Sequence, residues 1–135
     1  MAYLLDTNIL IAAMKGVPEV RARLESIPLE QIMLSTLVLG ELEFGAEKSS
    51  NPNRARDRIQ ALKGNFPAIG VDPDVSRCYG QIRATLETKG AKIGANDLWI
   101  AAQALIQQAI LVTDNVREFS RVPGLKIENW INRSA

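Results

Sequence analysis

The sequence predicts an α/β fold in which a mostly parallel sheet is covered by helices on both faces. Three observations predict it. Short apolar runs of strand length recur at residues 3–5, 32–34 and 109–113. Each passes almost directly into residues with helical spacing, the pattern of parallel strands joined by crossover helices. No internal repeat, low-complexity stretch or linker divides the 135 residues, so a single domain over residues 1–135 with a substantial core is expected.

Tyr3, Leu4 and Leu5 form the first strand, which stops at Asp6; Ile9, Leu10, Ala12, Ala13 and Met14 continue at helical spacing. Pro18 suits the first turn of a short helix over residues 18–26. After a connector at 27–31, Ile32, Met33 and Leu34 make a second buried strand, and Ser35 and Thr36 open a helix to about Lys48. Asn51, Pro52 and Asn53 start another helix, from Arg54 to about Lys63, which Gly64 and Pro67 break. Residues 68–71 read as a third strand. Asp72, Pro73 and Asp74 cap a long helix ending near Gly90. Past a loop at 91–95, Asn96 is the cap candidate for an apolar helix to about Gln108. A strand at 109–113, a turn of helix at 116–119 and a last strand at 125–127 follow, and Trp130 closes the chain.

Composition excludes more than it selects. Hydrophobic residues make up 47% and charged residues 23%, with a formal net charge of +1, which is a globular rather than a disordered balance. No apolar run approaches the roughly 18 residues of a membrane span, and the N-terminus lacks a signal-peptide pattern. A lone Cys78 fits a reducing compartment, so a cytoplasmic location is expected. Histidine is absent, which removes the Ser-His-Asp and Cys-His arrangements and nearly every zinc site. There is no P-loop and no G-x-G-x-x-G. Any chemistry must rest on carboxylates, hydroxyls and amides.

Carboxylates stand where packing alone would not put them. Asp6 ends a buried strand, the place where open α/β sheets bind ligands, although an aspartate there also caps the following helix. Glu41 lies within the apolar stripe of Val38, Leu42 and Gly45, either salt-bridged to Lys48 or an arginine, or reserved for function. Asp97 opens a helix that is otherwise nearly all apolar, which suits either the macrodipole or a buried site. Asp114 repeats the Asp6 pattern after residues 109–113. If the two strands are parallel neighbours, Asp6 and Asp114 stand side by side and repel unless protonated or bridged by a cation. Converging acids with no balancing lysine in these motifs argue for Mg²⁺ or Mn²⁺, which take oxygen ligands.

The order Asp6-Thr7-Asn8, Glu41, Asp97 and Thr113-Asp114-Asn115 ahead of Phe119 resembles the acids of PIN-domain ribonucleases. The stretches at residues 45–49, 79–84 and 116–125 are similar to VapC toxins of bacterial VapBC toxin–antitoxin pairs, most closely the branch that cuts initiator tRNA. The likeness covers essentially the whole chain. It implies a PIN-like three-layer α/β/α fold and a catalytic, metal-holding set of Asp6, Glu41, Asp97 and Asp114. In the wider family the fourth acid often stands at the position of Asn115, four residues before Phe119. Whether Asp114 or Asn115 serves here is open. The resemblance further implies a cognate VapB-type antitoxin, a homodimer within a heteromeric complex, operator DNA contacted only through the antitoxin, and no membrane. Ile11, Val17 and Val20 are candidate antitoxin contacts.

The implied reaction is Mg²⁺-dependent phosphodiester hydrolysis of tRNA(fMet) in its anticodon stem-loop. Without histidine, 5′-phosphate and 3′-hydroxyl ends are expected. Arg117, Arg121 and Asn115 follow the fourth acid and are the expected substrate contacts, with Lys89 and Lys92 nearby; Arg54, Arg56 and Arg58 read as solvated surface more than as RNA contacts. The alternatives are a carboxylate-dependent phosphatase, for which Asn8 stands where a second acid is needed, a phospho-acceptor receiver, and a non-catalytic PIN-like binding module.

Overall fold

The computed structural model describes residues 1–131. Five strands form one sheet: β1 (Ala2–Leu5), β2 (Ile32–Ser35), β3 (Ala68–Ile69), β4 (Ala109–Val112) and β5 (Ile127–Glu128). Their order is β3-β2-β1-β4-β5, and every pairing is parallel. The helices are α1 (Thr7–Met14), α2 (Pro18–Glu25), α3 (Thr36–Glu47), α4 (Pro52–Asn65), α5 (Pro73–Thr88), α6 (Ala95–Ile106) and α7 (Val116–Phe119). A short 3₁₀ turn at Leu29–Gln31 leads into β2.

The chain builds β1, β2 and β3 outward in one direction and then returns to lay β4 and β5 on the other side of β1. The order therefore reverses between β1 and β4, and the loops leaving those strands part there. That crevice at the carboxyl ends of the strands is where this architecture binds ligands. Leu5 is in register with Val112, so the residues that leave the two strands, Asp6 and Thr113, face each other.

The strands are apolar because both faces are covered: every residue of β4 is buried. α6 packs closest to the sheet centre, burying Leu98, Ile100, Ala101, Ala102 and Ala104. Small side chains let it approach α5, and Tyr79 stacks on Trp99 with ring centroids 3.9 Å apart. Phe119 is fully buried and anchors α7 beneath the site; truncation to alanine would cost about 3–5 kcal/mol. α5 stops in a Schellman arrangement. Gly90, at φ +68°, donates to Glu87 O at 3.1 Å, and Ala91 donates to Leu86 O at 2.9 Å.

The expected elements are present, with differences that have local causes. α4 starts two residues early and runs through Gly64, because Pro52 holds its first turn and the Asn51 side chain accepts from Arg54 N at 3.3 Å. The last strand lies at Ile127–Glu128 rather than 125–127, where Lys126 O and Glu128 O accept from Leu111 N and Thr113 N. Asn96 does not cap α6: Gly94 holds that position, and the Asn96 side chain is used elsewhere. Val20 is fully buried rather than available for a partner, while Ile11 and Val17 are half-buried. No helix among the described residues is long and apolar enough to cross a membrane.

Candidate active site

Asp6 carries both roles that its sequence position allowed. Its backbone N–H donates to Val112 O at 2.9 Å, continuing the β1–β4 ladder by one rung. Its carboxylate caps α1, Oδ1 accepting from Thr7 N at 2.9 Å. The second oxygen, Oδ2, accepts from the Thr113 hydroxyl at 2.8 Å. Only 6% of the residue is exposed. Burial raises its pKa above the ordinary carboxylate value, and the hydrogen bonds from Thr113 and Thr7 partly offset that.

Glu41 faces the same crevice from α3, whose packed face is Val38, Leu42 and Ala46. It is half-buried and forms no ion pair among the described residues. The Thr7 hydroxyl donates to Oε2 at 2.5 Å, and the Asn96 side-chain amide donates to Oε1. Lys48, a possible salt-bridge partner from the sequence, lies over the Phe44 ring instead, 5.0 Å from its centroid. Neutral donors thus orient the Glu41 carboxylate without discharging it.

Asp97, in the first turn of α6, completes the set. Burial is the largest influence on it, followed by the charges of Asp6 and Glu118, a hydrogen bond to Glu118 and the charge of Glu41. Together they push its carboxyl from 3.8 up to about 7. Glu118 moves the other way. Its Oε2 accepts from Asn115 Nδ2 at 2.7 Å and its Oε1 from Gly94 N at 3.0 Å, and these bonds hold it below the usual range. Asp97 keeps the shared proton and Glu118 accepts it.

The crevice therefore gathers Asp6, Glu41 and Asp97 as the sequence predicted, and adds Glu118, which was not singled out. A signal was present: Asn115-x-x-Glu118 has the spacing of a capping box. Asp114 leaves the strand end in a different direction, its Oδ1 accepting from Asn129 Nδ2 at 3.1 Å. Asn115 lies beside the site, but its side chain goes to Glu118. Arg121 Nη1 donates to Lys92 O at 2.9 Å and its charge reaches Glu118, while Arg117 is exposed at the rim.

The donors suit a hard divalent cation: four carboxylates at one crevice, hydrogen-bonded by hydroxyls and amides, with Asp97 driven to hold a proton by burial and by its neighbours' charge. Among the described residues no three potential ligands stand in ligating array as the side chains lie, and Glu41 is turned onto Thr7 and Asn96. Asp6, Glu41 and Asp97 are the residues that would hold the ion.

Comparison with known proteins identifies the family. The PIN domain model matches residues 3–125. Ribonuclease VapC2 of Rickettsia felis is 37% identical over 132 residues, covering 96% of this chain and 98% of its own. The tRNA(fMet)-specific endonuclease VapC of Salmonella typhimurium is 36% identical over 131 residues, with the same coverage of 96% and 98%. Among solved structures, VapBC2 from Rickettsia felis bound to a promoter DNA fragment superposes with a TM-score of 0.89 at 36% identity, over 97% of this chain and 100% of the other. DNA-bound VapBC from Salmonella typhimurium gives 0.90 at 35% identity, over 97% and 99%. With acids in this order at the switch point of a parallel sheet, and relatives matched over nearly their full length, the chain belongs to the PIN-domain family and, within it, to the VapC ribonucleases.

Proposed function

We propose that this chain is the toxin of a type II toxin–antitoxin pair: an Mg²⁺-dependent endoribonuclease that cuts initiator tRNA in its anticodon stem-loop and so stops translation. Mn²⁺ is the alternative ion. The observation that carries the reading is the Asp97 carboxyl, pushed up to about 7 by burial and by Asp6, Glu118 and Glu41, in a cluster whose hydrogen-bond donors are all neutral. A cation would relieve that repulsion and, in a chain without histidine, would supply the activation of water that phosphodiester hydrolysis calls for.

Asp6 and Asp97 would hold the ion directly. Glu41, steadied by Thr7 and Asn96, is a further ligand or orients the attacking water and takes its proton. Glu118, fixed by Asn115 and the Gly94 amide, takes the fourth acidic position in preference to Asp114. A bound Mg²⁺ lowers the pKa of water and neutralises charge that builds on phosphate oxygens. Arg117 and Arg121 flank the acids and draw the RNA backbone toward an otherwise repulsive pocket. With seven aromatics in 135 residues, recognition rests on backbone and shape more than on base stacking.

The partner is a VapB-type antitoxin acting in the cytoplasm, in a complex built on a toxin homodimer that meets operator DNA only through the antitoxin. A cavity of about 230 Å³ between α1, α3 and α4 is lined by Ile11, Met14, Leu42 and Ile59, with Glu41 and Arg58 at its edge. It suits an apolar side chain on an antitoxin helix, laid so that the same segment blocks Glu41.

Purified protein with Mg²⁺ is the test. Initiator tRNA should be nicked once, leaving 5′-phosphate and 3′-hydroxyl ends, while elongator tRNAs and unstructured RNA stay largely intact. Chelation, Asp97→Asn or Glu41→Gln should abolish the cut. Equal cleavage of all tRNAs would remove the substrate assignment, and cleavage that survives chelation would remove the metal mechanism.

A further inference from the structure

The polar cluster buried deepest in the molecule lies outside the crevice. Ser35 and Gln103 are both fully buried. The Ser35 hydroxyl donates to Gln103 Oε1 at 2.5 Å and accepts from Leu37 N at 3.1 Å, capping α3. Gln103 Nε2 donates to Ile69 O and Gly70 O, both at 3.1 Å. Two carbonyls on one side fix which end of the amide faces them, because a reversed amide would set oxygen against oxygen. The side-chain amide thus has both N–H groups bonded, and it joins α6 to the start of α3 and to the edge strand β3.

This cluster is the lower of two ties between the same helices. The upper tie is Asn96 donating to Glu41. Asn96 and Gln103 are seven residues apart and share one face of α6. Ser35 to Glu41 spans about 9 Å along α3, and Asn96 to Gln103 about 10 Å along α6, at the helical rise. The rungs match, so the two helices run antiparallel in one register. A slip of one residue at the buried rung would separate Glu41 from Asn96 and move Asp97 with it.

We infer that Gln103 is a positioning residue: through Ser35 it sets the register of α6 on α3, and so the placement of Asp97 against Glu41 for the divalent ion. This rests on the reading that those two carboxylates hold the ion. Gln103 touches neither ion nor RNA. Its effect should appear as weaker metal binding and a lower kcat, with the KM for RNA unchanged, because the rim arginines are not on either rung.

The experiment is Mn²⁺ calorimetry, with cleavage kinetics, on the full chain and on Gln103→Met, Ser35→Ala, Ser35→Thr and the double variant Ser35→Ala/Gln103→Met. Gln103→Met and Ser35→Ala should raise the Mn²⁺ Kd by about 10-fold, as loss of outer-sphere support does elsewhere. Ser35→Thr, which keeps the hydroxyl, should stay near the parent, and the double variant should be no worse than the poorer single. If Gln103→Met fails to fold, the Ser35→Ala and Ser35→Thr pair decides. A folded Ser35→Ala or Gln103→Met protein with a lowered Tm but parental Mn²⁺ Kd and kcat overturns this inference alone. A parent chain that takes up no Mn²⁺ overturns the site reading, and this one with it.

Discussion

The Thr113 hydroxyl donates to Asp6 Oδ2 at 2.8 Å, joining residues 107 positions apart in the chain. The same hydroxyl oxygen accepts from Asn115 N at 3.0 Å. One buried side chain thereby orients the central carboxylate and starts the turn that presents Asn115 and Glu118. Thr113→Val should cost about 1–3 kcal/mol, since it leaves a buried carboxylate oxygen and an amide without a partner, and Thr113→Ser should restore most of it. Chemical denaturation of the three proteins at neutral pH checks this.

Divalent metal should stabilise the fold by mass action, because only the native crevice brings Asp6, Glu41 and Asp97 together. Millimolar Mg²⁺ or Mn²⁺ should raise the Tm of the parent chain. Asp6→Asn keeps one of the two acceptor oxygens that Thr7 N and the Thr113 hydroxyl use and removes one repelling charge, so it should stay folded and lose most of the metal-induced shift. A parent Tm that does not respond to either ion would count against the site.

The metal-free protein should lose stability as pH rises through the window set by Asp97. Its folded value of about 7 lies above the 3.8 of the unfolded chain, so the native state binds more protons between them. The stabilisation is complete below about 4 and is lost as pH rises toward 7. Tm measured in a chelator should therefore carry a downward slope from about pH 4 to about pH 7 that Asp97→Asn removes in large part. Asp6, also raised by burial, contributes in the same direction.

The fourth acid separates two assignments. Glu118 bonds to Asp97, whereas Asp114 bonds to Asn129. Glu118→Gln should therefore lower the cleavage rate by about 10–100-fold, and Asp114→Asn should change it little. The reverse outcome in folded proteins would return the role to Asp114.

Rim charge should tune RNA binding without touching chemistry. Arg117 is exposed and makes no ion pair among the described residues, so Arg117→Ala should weaken tRNA binding and reduce its salt slope by about one. Titration of binding against salt, using chelated protein, reads this directly.

Much of the fold was legible because its signals are local. Each strand is a short apolar run, and Ser35, Asn51 and Asp72 cap the helices their positions announced. Asp6, Glu41 and Asp97 were legible as misfits, carboxylates within apolar surroundings. What failed was local inference about side-chain partners. Asn96 has the chemistry of a cap but serves Glu41, Glu41 is held by amide and hydroxyl rather than lysine, and Val20 packs inward on a helix whose short pattern left its face ambiguous.

By itself, then, the sequence determined the alternation of strands and helices, the absence of histidine chemistry and three misplaced acids that the fold brings to one crevice. Only the tertiary structure decided that β4 returns beside β1, and with it that Thr113 rather than Asp114 faces Asp6 and that Glu118 reaches Asp97. The reason is register. A strand's residues alternate faces, so one position along β4 determines which side chain meets the carboxylate across the ladder. That position is set by pairing between segments more than a hundred residues apart, which no local pattern in the chain encodes.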